Sequence, residues 1–316
     1  AEVMALEAAG AAARGSAAYV TLEPHCYQSR TPPCTDALIR AGVSRVLCGA
    51  LDPNPKVHGE GVRQLRAAGI EVQTGLLESA VRDLNAGFEQ RMTSGLPRMI
   101  VKVAASLDGR VALANGVSRW ITGEAARNDV QHLRAAASAI LTGIGTVLAD
   151  DPQLTVRDPG IETLGRQPLR VVLDTYARTP ATARILRSKG ATLVFTHAAH
   201  GGGADALKRA GAELIGTELD SEGRLDFQSV LRELGERQCN DVLVEAGPTL
   251  TGCILQAGLA DELIVYLAPV LLGPQARAMA GLPQLDRFED APRYTLRHLE
   301  RIGPDVTLVF RPAARQ

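Results

Sequence analysis

The 316-residue sequence lacks any excess of charge, and that absence removes the first class of partner. Its 34 Lys and Arg face 35 Asp and Glu, a formal net charge of −1, so no electrostatic footprint for nucleic acid or another polyanion exists. It also lacks a secreted cysteine framework. Five cysteines, an odd number without scaffold spacing, suit a reducing cytoplasm. No charged-then-apolar leader opens the chain, and no apolar run is long enough to span a bilayer, so secretion and membrane insertion are poor readings. There is no internal repeat and no G-x-G-x-x-G, hence no Rossmann fingerprint. What is present is ordinary for a globular protein: 46% hydrophobic and 22% charged residues, at a length that favours two domains.

Ala1 to Leu6 already reads as a helix under way, so a truncated start is expected, and the helical run extends over residues 3–14. Ala18 to Leu22 is a β-prone run followed by a turn-rich stretch to Cys34. A helix is expected over Thr35 to Ala41, closed by Gly42, then a buried strand over Val43 to Ala50. Asp52-Pro53-Asn54-Pro55 must be a loop, because neither proline fits inside a ladder. A further helix ends at Gly69, and Ile70-Glu71-Val72 begins another strand. Gly95-Leu96-Pro97 marks the expected boundary, giving domains over 1–95 and 96–316. The second series has strands at Met99 to Ala104, Ala139 to Thr142, Leu169 to Asp174, Thr192 to Phe195, Asp241 to Glu245 and Glu262 to Tyr266. Alternating β and α signals make both domains α/β, with functional groups at strand ends. Ala198 to Ala204, with three successive glycines, reads as a flexible surface loop.

Two constellations carry chemistry. The first joins Glu2, in an x-E opening a helix, to the loop Thr21-Leu22-Glu23-Pro24-His25-Cys26-Tyr27-Gln28-Ser29-Arg30-Thr31-Pro32-Pro33-Cys34. A cytosine-type deaminase needs a metal-activated water, a carboxylate that shuttles its proton, and an H-x-E element followed by two cysteines. Taken singly, Cys34 is ordinarily a small buried hydrophobe, His25 a loop histidine and Glu2 a carboxylate favoured by a helix dipole. The loop as a whole resembles the T-L-E-P-C-x-H-x-G-R-T-P-P-C signature of the bifunctional riboflavin-biosynthesis deaminase–reductases, matching it without a gap from Arg30 to Cys34.

That resemblance implies an incomplete cytidine-deaminase-like α/β/α domain, with Glu2 as general acid/base and Cys34 as a zinc ligand. It departs from the pattern in three ways. The family's first-ligand histidine would immediately precede Ala1, and the chain lacks it. His25 stands at the second ligand position with Cys26 beside it, so either supplies that ligand. Tyr27 and Ser29 replace the loop's histidine and glycine. Asp52 and Asn54 resemble the D-P-N-P loop beside the family's pyrimidine site, or else form a plain Asx turn. His58 is the reserve ligand if zinc binds in full.

The second constellation comprises Lys102 to Arg110, Ser118 to Thr122, Leu141 to Arg157 and Val244 to Gly252. Glycine turns at Gly143–Gly145 and Gly247–Gly252 lead into helices, where unpaired N–H groups favour phosphate. These segments resemble the same family's reductase half, a dihydrofolate-reductase-like α/β domain reaching from about residue 98 to the end. The resemblance implies NADPH-dependent reduction of a ribosylaminopyrimidine phosphate to its ribityl product. Position by position, Ala104, Trp120, Thr146, Asp150, Thr175, Gly247, Pro248, Thr249, Leu250, Thr251, Gly252 and Cys253 fall on cofactor contacts. Ser118, Arg134, Leu154, Arg157 and Glu245 fall on substrate contacts. Arg134 and Arg157 are sensible phosphate anchors, and Lys102 or Glu245 assists proton transfer. Against this stand blander roles: Trp120 in a core, Arg134 on a solvated face, Asp150-Asp151 as an N-cap and turn.

Three functions follow: a reductase with a vestigial deaminase, a fully bifunctional enzyme, or a reductase whose first domain is a docking or dimerisation platform. A cytoplasmic homo-oligomer acting on a small molecule, with NADPH and zinc as cofactors and no nucleic acid or membrane partner, is expected.

Overall fold

A computed structural model describes residues 1–28 and 31–313, so Ser29 and Arg30 of the loop match lie outside the described residues. The chain divides at Gly95/Leu96 into two compact units.

In the first unit, α1 (Glu2–Ala9) gives way to a 3-10 turn over Gly10–Ala13. The expected single helix through residue 14 fails at Gly10, whose φ of 52° breaks the α geometry. Then follow β1 (Ala17–Leu22), α2 (Cys34–Ala41), β2 (Arg45–Ala50), α3 (Glu60–Ala67) and β3 (Glu71–Thr74), with α4 (Glu78–Leu84) and α5 (Ala86–Ser94) closing the unit. The strands form a parallel sheet in the order β1-β2-β3. Gly42 ends α2 at φ 72°, a left-handed stop that needs no side chain. Leu38 and Leu65 from α2 and α3 pack with Val46 and Val72 of the sheet into one core.

The second unit opens with β4 (Arg98–Ser106) and β5 (Arg110–Ala112), then α6 (Glu124–Ala136), β6 (Ala139–Gly143), α7 (Ile144–Asp150) and β7 (Leu169–Leu173). It continues through α8 (Arg184–Arg187), β8 (Thr192–Thr196), α9 (Gly202–Arg209), β9 (Glu213–Gly216), α10 (Phe227–Glu236) and β10 (Asp241–Val244). It ends with α11 (Pro248–Gln256), β11 (Glu262–Ala268), β12 (Arg277–Ala278), β13 (Tyr294–Ile302) and β14 (Asp305–Pro312). Nine strands form one sheet, ordered β13-β14-β11-β4-β10-β6-β7-β8-β9. Seven run parallel, and the β13–β14 hairpin pairs antiparallel to β11.

Period-two geometry sets what β4 offers each face. Met99, Val101, Val103 and Ala105 enter a core with Leu141, Phe195 and Val244, each fully buried large side chain contributing roughly 1.5–3 kcal/mol. Lys102 and Ala104 therefore point to the opposite face. The stretch Ala198 to Ala204 is not wholly a loop: α9 begins at Gly202 and Ala204 is buried, because Leu207 of the same helix anchors it in the core. No helix among the described residues is long and apolar enough to cross a membrane.

Candidate functional site

The C-terminal ends of the parallel strands in the second unit open onto a cavity of about 1340 Å³. At its floor stand Lys102 from β4, Arg134 from α6 and Glu245 just after β10. Arg134 grips Glu245 in a bidentate pair, Nε to Oε1 at 2.6 Å and Nη2 to Oε2 at 2.9 Å, and donates through Nη1 to the Thr155 carbonyl at 3.1 Å. The fork that sequence reasoning gives to phosphate is thus engaged inside the protein, and Arg134 is buried rather than on a solvated face. Burial alone would raise the Glu245 carboxyl; Arg134, then Lys102 and Arg157, outweigh it and hold it below the usual range. Burial pulls the Lys102 ammonium below the ordinary lysine value against the opposing attraction of Glu245. Its Nζ lies 5.9 Å from the centroid of the Tyr266 ring, whose hydroxyl donates to Asp129 at 2.5 Å. The arrangement can hold a proton on a desolvated lysine beside a permanently charged pair.

The loop after α7 is over-determined. Asp151 and Leu154 sit at φ 42° and 50°, left-handed values that cost a non-glycine residue about 1–2 kcal/mol each. Packing of buried Leu154 against Ile140 and Val147, the Arg134–Thr155 bond and two bonds between Gln167 and the Val156 backbone hold it there. Asp151 closes α7 at its C-terminus, so the Asp150-Asp151 pair is no N-cap. The loop delivers Leu154 and Arg157 to the cavity, where Ser118 also stands. Among the described residues the Arg157 guanidinium meets a neutral partner, Gln153 Oε1 at 3.2 Å.

The glycine turns line the same cavity. Gly143 and Gly247 precede α7 and α11, and the Gly247 N–H donates to Thr146 Oγ1 at 3.1 Å, so the two turns are neighbours. Pro248 at the first turn of α11 sacrifices no helical bond. Ala104, Thr146, Asp150, Thr175, Gly247, Pro248, Thr249, Leu250 and Cys253 all line the cavity. Thr251 and Gly252 do not: Thr251 is buried with its hydroxyl on the Ala246 carbonyl, and Gly252 meets the Gly281 backbone too closely for any Cβ. Trp120 is 70% exposed on the rim, with the Arg127 guanidinium 4.6 Å from its ring centroid, and is no core residue. Sequence reasoning missed Arg184, Arg127, Tyr266 and Arg224, all of which line the cavity. No motif announces them, since they come from separate elements.

In the first unit Cys34, at the start of α2, donates through Sγ to Glu2 Oε2 at 3.4 Å. Burial and then Glu2 push the Cys34 thiol up to about 11. His25 follows β1, and its carbonyl accepts from Thr35 N at 3.3 Å, bringing the loop against the start of α2. Its Nε2 is buried without a hydrogen-bond partner among the described residues, a condition costing roughly 1–3 kcal/mol unless a ligand meets it. Cys26 instead turns its Sγ toward the Lys56 carbonyl, 4.0 Å away. Asp52 Oδ1 accepts from Asn54 N at 2.8 Å, an Asx turn, and Asn54 Nδ2 donates to the Tyr27 hydroxyl. His58 Nδ1 lies 3.0 Å from the Asp52 carbonyl. Among the described residues no group of three or more His, Cys, Asp or Glu able to hold a metal ion occurs. His25 and Cys34 are donors of the type zinc takes, and they form two-thirds of a catalytic set.

A parallel α/β sheet with its polar constellation at the strand ends defines the second unit as an enzyme domain of the reductase class, and the family profile described as RibD C-terminal domain matches residues 97–308. The riboflavin biosynthesis protein RibD of Escherichia coli is 48% identical over 319 residues, covering 98% of this chain and 85% of the relative. The structure of Acinetobacter baumannii RibD superposes with a TM-score of 0.90 at 43% identity, covering 99% of this chain and 85% of that one. That of a diaminohydroxyphosphoribosylaminopyrimidine deaminase/5-amino-6-(5-phosphoribosylamino)uracil reductase from Thermotoga maritima does so at 0.85 and 33% identity, with the same coverage. The chain belongs to the RibD family of bifunctional riboflavin-biosynthesis deaminase/reductases.

Proposed function

We propose that the second unit reduces 5-amino-6-(5-phosphoribosylamino)uracil to its ribitylamino product with NADPH. The observation that carries this is the largely buried Lys102–Glu245–Arg134 group at the floor of a cavity large enough for two ligands. NADPH, when bound, supplies a hydride. Hydride addition at the ribose C1′ opens its bond to the ring oxygen, and one proton must reach the departing oxygen or the exocyclic nitrogen. Lys102 gives that proton, since desolvation lowers its affinity for it, while Glu245 holds the ammonium in place. Gly247 to Leu250 and Cys253 at the start of α11 receive the cofactor's phosphates, together with Thr146, Asp150 and Thr175; Ala104 and Trp120 contact its remaining surface. Ser118, Leu154 and Arg157 receive the substrate.

For the first unit, His25 and Cys34 would hold zinc, which when bound acidifies a water for hydrolytic deamination. Glu2, beside Cys34, moves the proton between that water and the ring. The orphaned Nε2 supports His25 over Cys26 as the ligand. The Cys34–Glu2 hydrogen bond, which engages both groups the deamination chemistry needs, favours a second reading, in which the first unit is a non-catalytic docking or dimerisation module. A homo-oligomer belongs to the same proposal.

The test is NADPH absorbance in the presence of the phosphoribosylaminouracil. Substrate-dependent loss, with a product heavier by one hydride and one proton, is expected; NADPH binding without such loss would remove the proposal.

A further inference from the structure

Once Arg134 and Glu245 have neutralised each other, several guanidiniums at the cavity remain without a carboxylate partner among the described residues, Arg157 and Arg184 among them. Among the described residues the Arg157 guanidinium bonds to Gln153 Oε1, a neutral acceptor. The Arg184 side chain is exposed and has no partner among the described residues. The two sense each other: burial, then Arg134 and Arg184, lower the proton affinity of Arg157, although an arginine stays charged.

Arg184 is held at this place by backbone, not by chance. Its N–H donates to Asp151 Oδ1 at 2.8 Å, tying α8 to the strained loop that carries Arg157. The Asp151 carboxylate therefore meets the Arg184 main chain and leaves its guanidinium alone. The segment behind is pinned by Arg170, fully buried, which donates to the carbonyls of Ser188, Lys189 and Gly190. Arg184 and Gln153 also line an adjoining recess of about 330 Å³ that contains Arg187 and Lys189. Positive charge is thus concentrated on this side of the cavity, and like charges so arranged are relieved by an anion.

We propose that Arg184 joins Arg157 as a binding residue for the phosphate of the sugar-phosphate substrate. The assignment rests on the reductase reading above and adds to it the residue that sequence reasoning missed. A phosphomonoester carries close to two negative charges near neutral pH, and two unneutralised guanidiniums match them. Each offers a planar donor fork to the oxygens. Arg184 touches no reacting atom, so its contribution is affinity and registration, not chemistry.

The experiment is calorimetric titration of ribose 5-phosphate, with ribose as control, into the parent chain, Arg184→Ala, Arg184→Lys and Arg157→Ala. Steady-state kinetics with the phosphoribosylaminouracil accompany it. Arg184→Ala should weaken ribose 5-phosphate about 10- to 100-fold, the range of a lost charge-assisted bond. Lysine should restore part of the loss, and Arg157→Ala should match it. KM for substrate should rise in parallel, while KM for NADPH stays unchanged within about twofold. Equal behaviour of parent and Arg184→Ala, including no binding by either, overturns the proposal. So does a loss confined to NADPH and absent with NADH, which would assign Arg184 to the cofactor's phosphate. Arg184-dependent binding of ribose 5-phosphate without NADPH oxidation would instead sink the reductase reading alone.

Discussion

The two sites of this chain differ in how their buried polar groups are satisfied. In the second unit every charge at the cavity floor has a protein counterpart: Arg134 on Glu245, Glu245 facing Lys102, Lys102 over the Tyr266 ring. In the first unit a buried imidazole nitrogen has no partner among the described residues, and the Cys34 thiol is bonded to the one carboxylate the chemistry needs free. A site whose charges satisfy one another is preorganised by the fold itself. A site built from metal donors keeps its geometry only by taking an ion, because the donors are costly to bury alone. The comparison teaches that the two units build their sites differently: one pairs its charges with one another, and the other leaves its donors to be met by a ligand.

The largest effect should come from opening that closed constellation. Glu245→Ala leaves the Arg134 guanidinium buried and unpaired, a change worth about 3–5 kcal/mol. Urea unfolding should show a loss of this size in the second unit, with reduction abolished. A change below about 1 kcal/mol would mean that the pair is water-exposed in solution. The sign of its pH dependence follows from the depressed Glu245 carboxyl. Stability from the pair is fully present above 4.5, the ordinary value, and is lost as pH falls through the lower folded value.

Next in size is Lys102→Met. Removing a general acid should lower kcat by about 10²–10⁴, leaving NADPH affinity intact. In the parent, activity should fall as pH rises through a value below 10.5, because the proton donor is then lost. Persistence of that alkaline limb in the variant would assign the proton to another group.

Smaller, and confined to the first unit, is zinc. With two ligands the ion stays largely hydrated, so zinc content should fall well short of one per chain. A histidine added before Ala1 should raise it. In that extended protein His25→Ala should abolish the gain and Cys26→Ala should not. Stoichiometric zinc in the chain as it stands would erase the contrast between the two sites and turn attention to His58.

Much of this was legible in the residues. Strand β4 announces itself as an apolar run after Gly95-Leu96-Pro97, and the glycine turns before α7 and α11 by composition, because backbone constraints are local. Local signals also mislead where packing decides: three glycines after Ala198 suggest a loop, yet buried Ala204 and Leu207 pull α9 back to Gly202. The β13–β14 hairpin was not foreseen, since β13 is exposed along most of its length and carries no apolar alternation. At the site, Arg157 and Glu245 were recognisable from motif, whereas the engagement of Arg134 by Glu245 spans 111 positions and appears only on folding. Arg184 lay outside every motif; the Asp151–Arg184 backbone bond brings it in.

The most direct test of the central claim sets the two units against each other in one cuvette. The chain is given NADPH with either the diaminopyrimidine ribosyl phosphate or its deaminated counterpart, without added zinc. Rapid loss of NADPH absorbance with the deaminated compound, and none with the diamino compound, is the expected result. Oxidation of NADPH at equal rates with both, or with neither, would contradict the account.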